Sequence, residues 1–542
     1  MKFRLFLATL LVFTSGFAQL KYAPEKPVLI IGIVVEQMRY DYITTYWDNF
    51  GENGFKRLIY EGTNCKNTKF NYLLTQSASG FASISSGTEP AVHGIVSDYW
   101  FDRLSDKYLY AVTDDNCKTV GSKSGEGKCS PAQMAVSTFA DELKIASKGQ
   151  SKSFAIALRD QAAVLLAGHS ATGAFWLDNQ SGKWITSSHY SDTLPSWVKT
   201  FNDKALTDFY LLKDWTTLVP MERYKSYFPD NNQYEEGFSK TLKTFPHAIP
   251  QYHKQASDFR TIRYTPYGNT LTTDFAIATI LEEKLGTDEH TDFLTVSYSV
   301  NHYISDKFGP GSVELADVYL RLDLEIARIL TLIDERFGKR DVVVYLTSNQ
   351  GDGYAPGYLK SMNIPSGEFK QMSALALLKT YLKAVYGRGE WIKTYTDHQI
   401  YLNRSLIEES GISLVAMQTS ISEFMVQFTG VATALGSESL KNNNFTQGIY
   451  EKFRNSYHQR RSGDIIINLE PGWVQITESS QHSSAYNYDT HVPLIWYGWK
   501  MKRKTISRAI NVTDIAPTLS DFLNISFPNA ASGNPIFELI EQ

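Results

Sequence analysis

The sequence predicts an α/β protein, a doubly wound and mostly parallel sheet carrying inserted cap segments. Three observations carry that expectation. Short, nearly continuous apolar runs recur along the chain, as in strands covered on both faces. Helical patterns alternate with them, the order that builds a parallel sheet. Each run also leads into a polar cluster, and the carboxyl ends of such strands are where open α/β sheets hold their ligands.

Taken in order, the first element is MKFRLFLATLLVFTSGFAQ, with Lys2 and Arg4, an apolar stretch from Leu5 to Phe13, and small residues before Gln19. This reads as a secretory signal peptide, residues 1–18, cut after Ala18. The mature domain is then 19–542. Its strand signals are PVLIIGIVV at 27–35, SFAIAL at 153–158, DFLTVSYS at 292–299, DVVVYL at 341–346 and VPLIWYG at 492–498. A small-residue helix follows the glycine turn in TQSASGFASISSG at 75–87, and VELADVYLRLDLEIARILTLIDERF at 313–337 is a long helix. Segments at about 179–270 and 388–470 are rich in aromatics, Asn and Lys with weak periodicity, and read as insertions on the sheet.

Whole-chain properties exclude several classes. A net charge of -4 with pI near 6.3 argues against nucleic acid as a partner, because phosphate neutralisation needs a basic face. The basic run KMKRK at 500–504 reads as a solvated turn. After the leader no segment approaches the roughly 20 apolar residues that span a bilayer. No cysteine at the cleavage site is available for lipidation, so the expected location is periplasmic or secreted. Of three cysteines, Cys117 and Cys129 could close a short loop in an oxidising compartment, with Cys65 left as a buried thiol.

The polar clusters at the strand ends hold Glu36, Ser77, Asp98, Arg159, Gln161, His302, Asp306, Asn349, Gln350, His482 and His491. Singly, helix caps and turn formers explain such residues. Their gathering at one edge of a sheet points to a site.

The blocks VVEQMRYDY, GFKRLIYEGT, HGIVSDYWFD, RDQAAVLLAGH, FGPGS, YDTHVPLIWYG and DIAPTLS, in this order, resemble the PafA-type alkaline phosphatases of the alkaline phosphatase superfamily over nearly the whole mature chain. The resemblance implies a doubly wound sheet with cap segments, and phosphomonoester hydrolysis through a phospho-threonine at two zinc ions. Carried over position by position, it implies a site much altered. An Asp becomes Glu36. The Thr nucleophile before a Gly-His pair becomes Ser77, with Gly80 followed by Phe81. An Asn contacting the phosphoryl oxygens becomes Asp98, and a Lys-Asp-Arg triplet becomes Arg159, Asp160 and Gln161. A metal-binding Asp-His pair becomes Asn349 and Gln350, and another Asp-His pair appears in exchanged order as His302 and Asp306. His482 alone is unchanged.

Magnitudes give the consequence. Zinc selects thiolate, imidazole and carboxylate, so the metal beside Ser77 loses its ligands, with Glu36 left between two amides in a degenerate second metal site. A hydroxyl without metal or base is a poor nucleophile. Gln161 removes a donor of a kind worth on the order of 3 kcal/mol. Asp98 sets an anion against the phosphate, a repulsion of about 4 kcal/mol at 4 Å with an effective dielectric near 20. The expected function is therefore a catalytically inactive pseudophosphatase of the cell envelope that binds a partner protein or small ligand. The alternative is an active phosphoesterase with an altered single-metal site. His302, Asp306 and His482 form a possible site for one zinc or similar divalent ion, and a two-zinc site is not expected. Asp98 and Arg159 are expected to pair across the vacated pocket.

Overall fold

The computed structural model describes residues 25–224, 228–239, 243–475 and 483–540. The expected signal peptide and His482 lie outside them. Ten strands form the main sheet: β1 (Leu29–Val35), β2 (Thr63–Cys65), β3 (Thr119–Val120), β4 (Ser153–Ala157), β5 (Gly173–Leu177), β6 (Trp184–Ser187), β7 (Asp292–Tyr298), β8 (Val342–Thr347), β9 (Ile495–Gly498) and β10 (Lys504–Ile506). Their spatial order is β10-β2-β9-β8-β1-β7-β4-β5-β6-β3. The central run from β8 to β5 is parallel throughout. The α/β class and the mostly parallel sheet expected from the apolar runs are what the chain adopts. The run at 492–498 enters differently: β9 is antiparallel to β8, and Val492 pairs with Thr68 in a separate small sheet.

Strand β1 shows why the sheet sits at the centre. All seven of its residues are buried. Leu29, Ile31, Ile33 and Val35 enter one hydrophobic core with the helix Val313–Arg336, whereas Ile30 and Val34 enter another with the helices Ser77–Ser86 and Asp160–Ala167. Period-two alternation is therefore present, but both faces are apolar, so the run reads as continuous. Four helices flank the carboxyl ends of the central strands: α1 (Ser77–Ser86), α2 (Asp160–Ala167), α3 (Val300–Phe308) and α4 (Val313–Arg336).

Residues 179–270 supply β6 and a set of short helices, and Trp215, Ile249 and Ile262 are buried in the same core as β1. Downstream, Ile392–Thr396, Gln399–Leu402, Ile465–Leu469 and Val431–Gly436 form a four-stranded antiparallel sheet. It has its own apolar cluster, including Leu378, Met417, Ile421 and Ile467. A disulfide between Cys117 and Cys129 does not form: all three thiols are free. Cys117 Sγ donates to Asp114 and Cys129 Sγ to Asp160, so each sulfur is turned to a nearby carboxylate.

Helix α1 is buried along its whole length. Its serine hydroxyls are satisfied inside the fold: Ser79 donates to Gln76 O, Ser85 to Leu165 O and Ser86 to Ala82 O, while Ser83 bonds His93 Nε2. Small residues let this helix press against the loop after β8. At Gly80 a Cβ atom would come within 1.9 Å of Asn349 O. Backbone cannot yield as a side-chain tip does, so Gly80→Ala is expected to destabilise by about 1–3 kcal/mol, the usual range for overpacking, measured as a lower urea midpoint with unchanged m-value. An unshifted midpoint would remove the close-packing argument.

Candidate functional site

The polar residues after β1, β4, β7 and β8 and those at the start of α1 meet in one cleft of about 450 Å³, lined among others by Ser77, Asp98, Arg159, Gln161, His302, Asp306 and Gln350. Ser77 is the first residue of α1 and lies at the helix N-terminus, where backbone N–H groups favour negative charge. That charge comes from Asp98. Its Oδ1 accepts from Ala78 N at 2.8 Å, and its own N–H donates to Gln76 Oε1 at 2.9 Å. Burial pushes the Asp98 carboxyl up from its usual range, with Arg159 and the Ala78 N–H pulling the other way.

Arg159 holds the centre. Its Nη1 donates to Glu36 Oε2 at 2.8 Å and to Ser77 Oγ at 3.2 Å, and its Nη2 donates to Gln161 Oε1 at 2.7 Å. Asp98 Oδ2 is 3.8 Å from Nη2. The expected Asp98 to Arg159 pair therefore exists only at its outer limit, and the main carboxylate partner is Glu36. The reason is depth and reach. Glu36 is fully buried at the end of β1, and its other oxygen accepts from Ser297 Oγ at 3.1 Å and Ser299 Oγ at 2.6 Å. Asp98 already has a backbone donor. Burial opposes charge on Arg159, but Glu36, Tyr303 and Asp98 more than offset it, and the guanidinium is held charged.

Two amides, Asn349 and Gln350, follow β8. Asn349 Oδ1 accepts from Gln37 N at 3.1 Å, while Asn349 Nδ2 and Gln350 Oε1 are buried without a hydrogen-bond partner among the described residues. His302 and Asp306, one turn apart on α3, stand with Nε2 and Oδ2 3.5 Å apart. Gln37 Nε2 reaches Asp306 Oδ1 at 3.3 Å. Burial, then the neighbouring Asp352, pushes the Asp306 carboxyl up to about 8, and burial pushes the His302 imidazole down.

These contacts test whether the metals implied by the family resemblance fit. Beside Ser77 they do not: the one carboxylate, Glu36, is bound to a guanidinium, and the other two positions are amides that coordinate zinc poorly. At His302 and Asp306 two of the right ligand types face each other, but among the described residues no group of three or more His, Cys, Asp or Glu is placed to hold an ion. His482, the third member of the expected set, is not among them.

Several site residues escaped sequence reasoning. Gln37 adopts a left-handed backbone (φ 55°) that turns it back under the cleft; it stood beside Glu36 in VVEQMRYDY, but nothing marked its conformation. Gln76 is the N-cap of α1, and its place before a small-residue helix is the signal that could have found it. Tyr303 packs its ring 6.0 Å from the Arg159 guanidinium. Asp397 comes from the turn between two strands of the second sheet, and burial together with Asp98 pushes its carboxyl up to about 7. No local signal connects it to the cleft.

Comparison with known proteins places this arrangement. The type I phosphodiesterase / nucleotide pyrophosphatase family matches residues 30–493. Alkaline phosphatase PafA of Elizabethkingia meningoseptica is 35% identical over 536 residues, covering 96% of each chain. The crystal structure of wild-type PafA matches with a TM-score of 0.90 at 34% identity, covering 95% of this chain and 99% of the other. The chain belongs to the PafA-type alkaline phosphatase superfamily. A similar match, 37% identical over 524 residues and covering 96% of this chain, is named as a calcium-transporting ATPase of Myroides odoratus. Within this alkaline phosphatase-like fold an internal ion pair, Arg159 with Glu36, stands beside the first residue of α1.

That ion pair yields a test. Removing one partner of a buried pair leaves an uncompensated charge, so Arg159→Ala should lose about 3–5 kcal/mol, whereas replacing both partners with apolar residues of similar size is far less costly. Glu36→Leu combined with Arg159→Met should accordingly unfold later in urea than Arg159→Ala alone. Equal midpoints for the single and double variants would show that the pair is not coupled.

Proposed function

We propose that this protein is a pseudophosphatase: an alkaline phosphatase-like fold exported to the periplasm or secreted, catalytically inactive, and acting by binding a ligand or partner in the cleft. The observation that carries this reading is the guanidinium of Arg159 between Glu36 Oε2 and Ser77 Oγ, at 2.8 and 3.2 Å. A hydroxyl becomes a good nucleophile when a base takes its proton or a metal ion lowers its pKa. Here its neighbour is a permanent cation that donates a hydrogen bond to it, and among the described residues the Ser77 hydroxyl makes no hydrogen bond to a base that could take its proton. Arg159 is itself held by Glu36 and Gln161, and is not free to cradle a phosphoryl group.

Export rests on the signal-peptide pattern of residues 1–18. No helix among the described residues is long and apolar enough to cross a membrane.

Two outcomes are expected. The purified mature protein should hydrolyse 4-nitrophenyl phosphate no faster than a metal-stripped control. Turnover within a thousandfold of the ordinary enzyme value of about 10 per second, abolished by Ser77→Ala, would overturn the reading. Elemental analysis should find at most one divalent metal per chain, diminished in His482→Ala, since His302, Asp306 and His482 carry zinc-compatible ligand types. Two zinc ions per chain would contradict it.

A further inference from the structure

A second pocket, of about 710 Å³, shares no lining residue with the cleft. One wall is the hairpin of Tyr99–Asp102 and Lys107–Tyr110. Tyr99 lines the cleft and Trp100 lines this pocket, because successive side chains of a strand point to opposite faces. The other wall is Arg404, shortly after the strand Gln399–Leu402, and residues 459–461, which lead into the strand Ile465–Leu469. The pocket therefore lies in the seam between the hairpin and the four-stranded sheet.

Its distinguishing property is charge. Arg103, Arg404, Arg460 and Arg461 line it, opposed by Asp102 and by the fully buried Asp464 behind the wall. Four guanidinium groups against two carboxylates leave a surplus of two positive charges, in a chain whose net charge is -4. His458 adds none, since burial, then Arg461 and Arg460, push its imidazole down to about 4. Part of the cluster is structural: Asp464 accepts from Arg103 Nη2 at 3.1 Å and from Arg404 Nε at 2.7 Å. The rest is open to solvent. Arg460 is exposed, and its guanidinium has no hydrogen bond or ion pair among the described residues. The Arg404 side chain is 36% exposed, with Nη1 likewise unbonded. Arg461 is pinned, its Nη1 donating to Gly94 O and Gln133 O at 2.5 Å each and its guanidinium 5.1 Å from the Trp100 ring. Its Nε and Nη2 bond nothing among the described residues and keep accessible surface. Burial lowers the Arg461 guanidinium from its usual value; Asp102 opposes this and Arg460 adds to it.

The ligand class follows from charge and donor geometry. A lone carboxylate carries one charge and is served by one or two forks, as Asp464 already is. A phosphate group carries close to two charges at neutral pH and presents three acceptor oxygens, which matches a surplus of two and donors spread over three arginines. Leu104, 97% exposed at the turn of the hairpin, lines the same pocket, so an apolar side chain stands beside the arginines. From these contacts we infer that the seam pocket binds a phosphate group, borne by a soluble molecule or by the headgroup of an anionic phospholipid, through Arg404, Arg460 and Arg461. The site is separate from the cleft and its chemistry, and so goes beyond the pseudophosphatase reading.

The test uses the full mature chain at low ionic strength. Calorimetry takes inorganic phosphate, methylphosphonate, succinate and tetraglutamate as probes, and co-sedimentation takes phosphatidylcholine vesicles with and without phosphatidic acid. Methylphosphonate cannot be hydrolysed and should bind with a Kd on the order of 1 mM or tighter, and more tightly than succinate. Arg460→Ala should weaken this by about tenfold, the loss of one charge-assisted hydrogen bond. Arg460 has no partner to lose, so this variant keeps the fold, and Arg460→Lys, which retains charge without the fork, should fall between it and the wild type. Binding of the soluble probes without sedimentation identifies a soluble ligand. Sedimentation only with phosphatidic acid, weakened by Leu104→Ser, identifies a headgroup. Failure of every phosphate probe and vesicle to bind overturns the inference. Tighter binding of succinate or tetraglutamate than of methylphosphonate overturns the ligand class and points to an acidic peptide. Equal affinity in Arg460→Ala and the wild type overturns the site, since phosphate held in the cleft would not sense Arg460.

Discussion

A single buried carboxylate sets the terms for the cleft. Glu36 has no solvent exposure, and a carboxylate in that position must be paired and hydrogen-bonded or else become neutral. Two serine hydroxyls and the Arg159 guanidinium surround it. Once one arm of the guanidinium is turned to Glu36, planarity fixes the other, which reaches Gln161 and comes near Asp98. Asp98 in turn accepts from the first turn of α1. The positions of side chains from four separate stretches of chain thus follow from neutralising one charge.

Much of this architecture could be read from the chain alone, and the reasons are local. The apolar runs of β1, β4, β7 and β8 are buried on both faces, so hydrophobicity and β-branching mark them without ambiguity. Helix α4 shows its periodicity over more than six turns, and the small residues of α1 announce a helix that must pack closely. What resisted reading depends on distances between remote segments. Both Asp98 and Glu36 are plausible partners for Arg159 in one dimension. The choice between them turns on one methylene and on how deep β1 ends. Asp397 arrives from a hairpin of another sheet, and Gln37 matters through a left-handed backbone that glutamine seldom adopts. The antiparallel direction of β9 was likewise invisible, because an apolar run carries no sign of its polarity.

Polar satisfaction is uneven through the interior. Along α1 four serine hydroxyls are buried and each finds an acceptor or a histidine. The amides of Gln37, Asn349, Gln350 and Gln161 each retain a buried atom without a partner among the described residues, as do groups remote from the cleft such as Ser153 Oγ, Trp184 Nε1 and Ser520 Oγ. Unmade bonds therefore do not by themselves mark the cleft; what sets it apart is the chain of charged contacts from Glu36 through Arg159 to Asp98.

The Glu36, Arg159 and Gln161 contacts also bear on which substitutions the cleft tolerates. An arginine at position 161 would set a second guanidinium against the first, with only Glu36 and Asp98 to neutralise both. An aspartate at position 349 would add a buried acid to a cluster that already holds Glu36, Asp306 and Asp352. Each such change is uphill while its neighbours stay as they are. The electrostatics of the interior therefore hold the present arrangement against single substitutions, and only coordinated changes of several residues would recast the cleft.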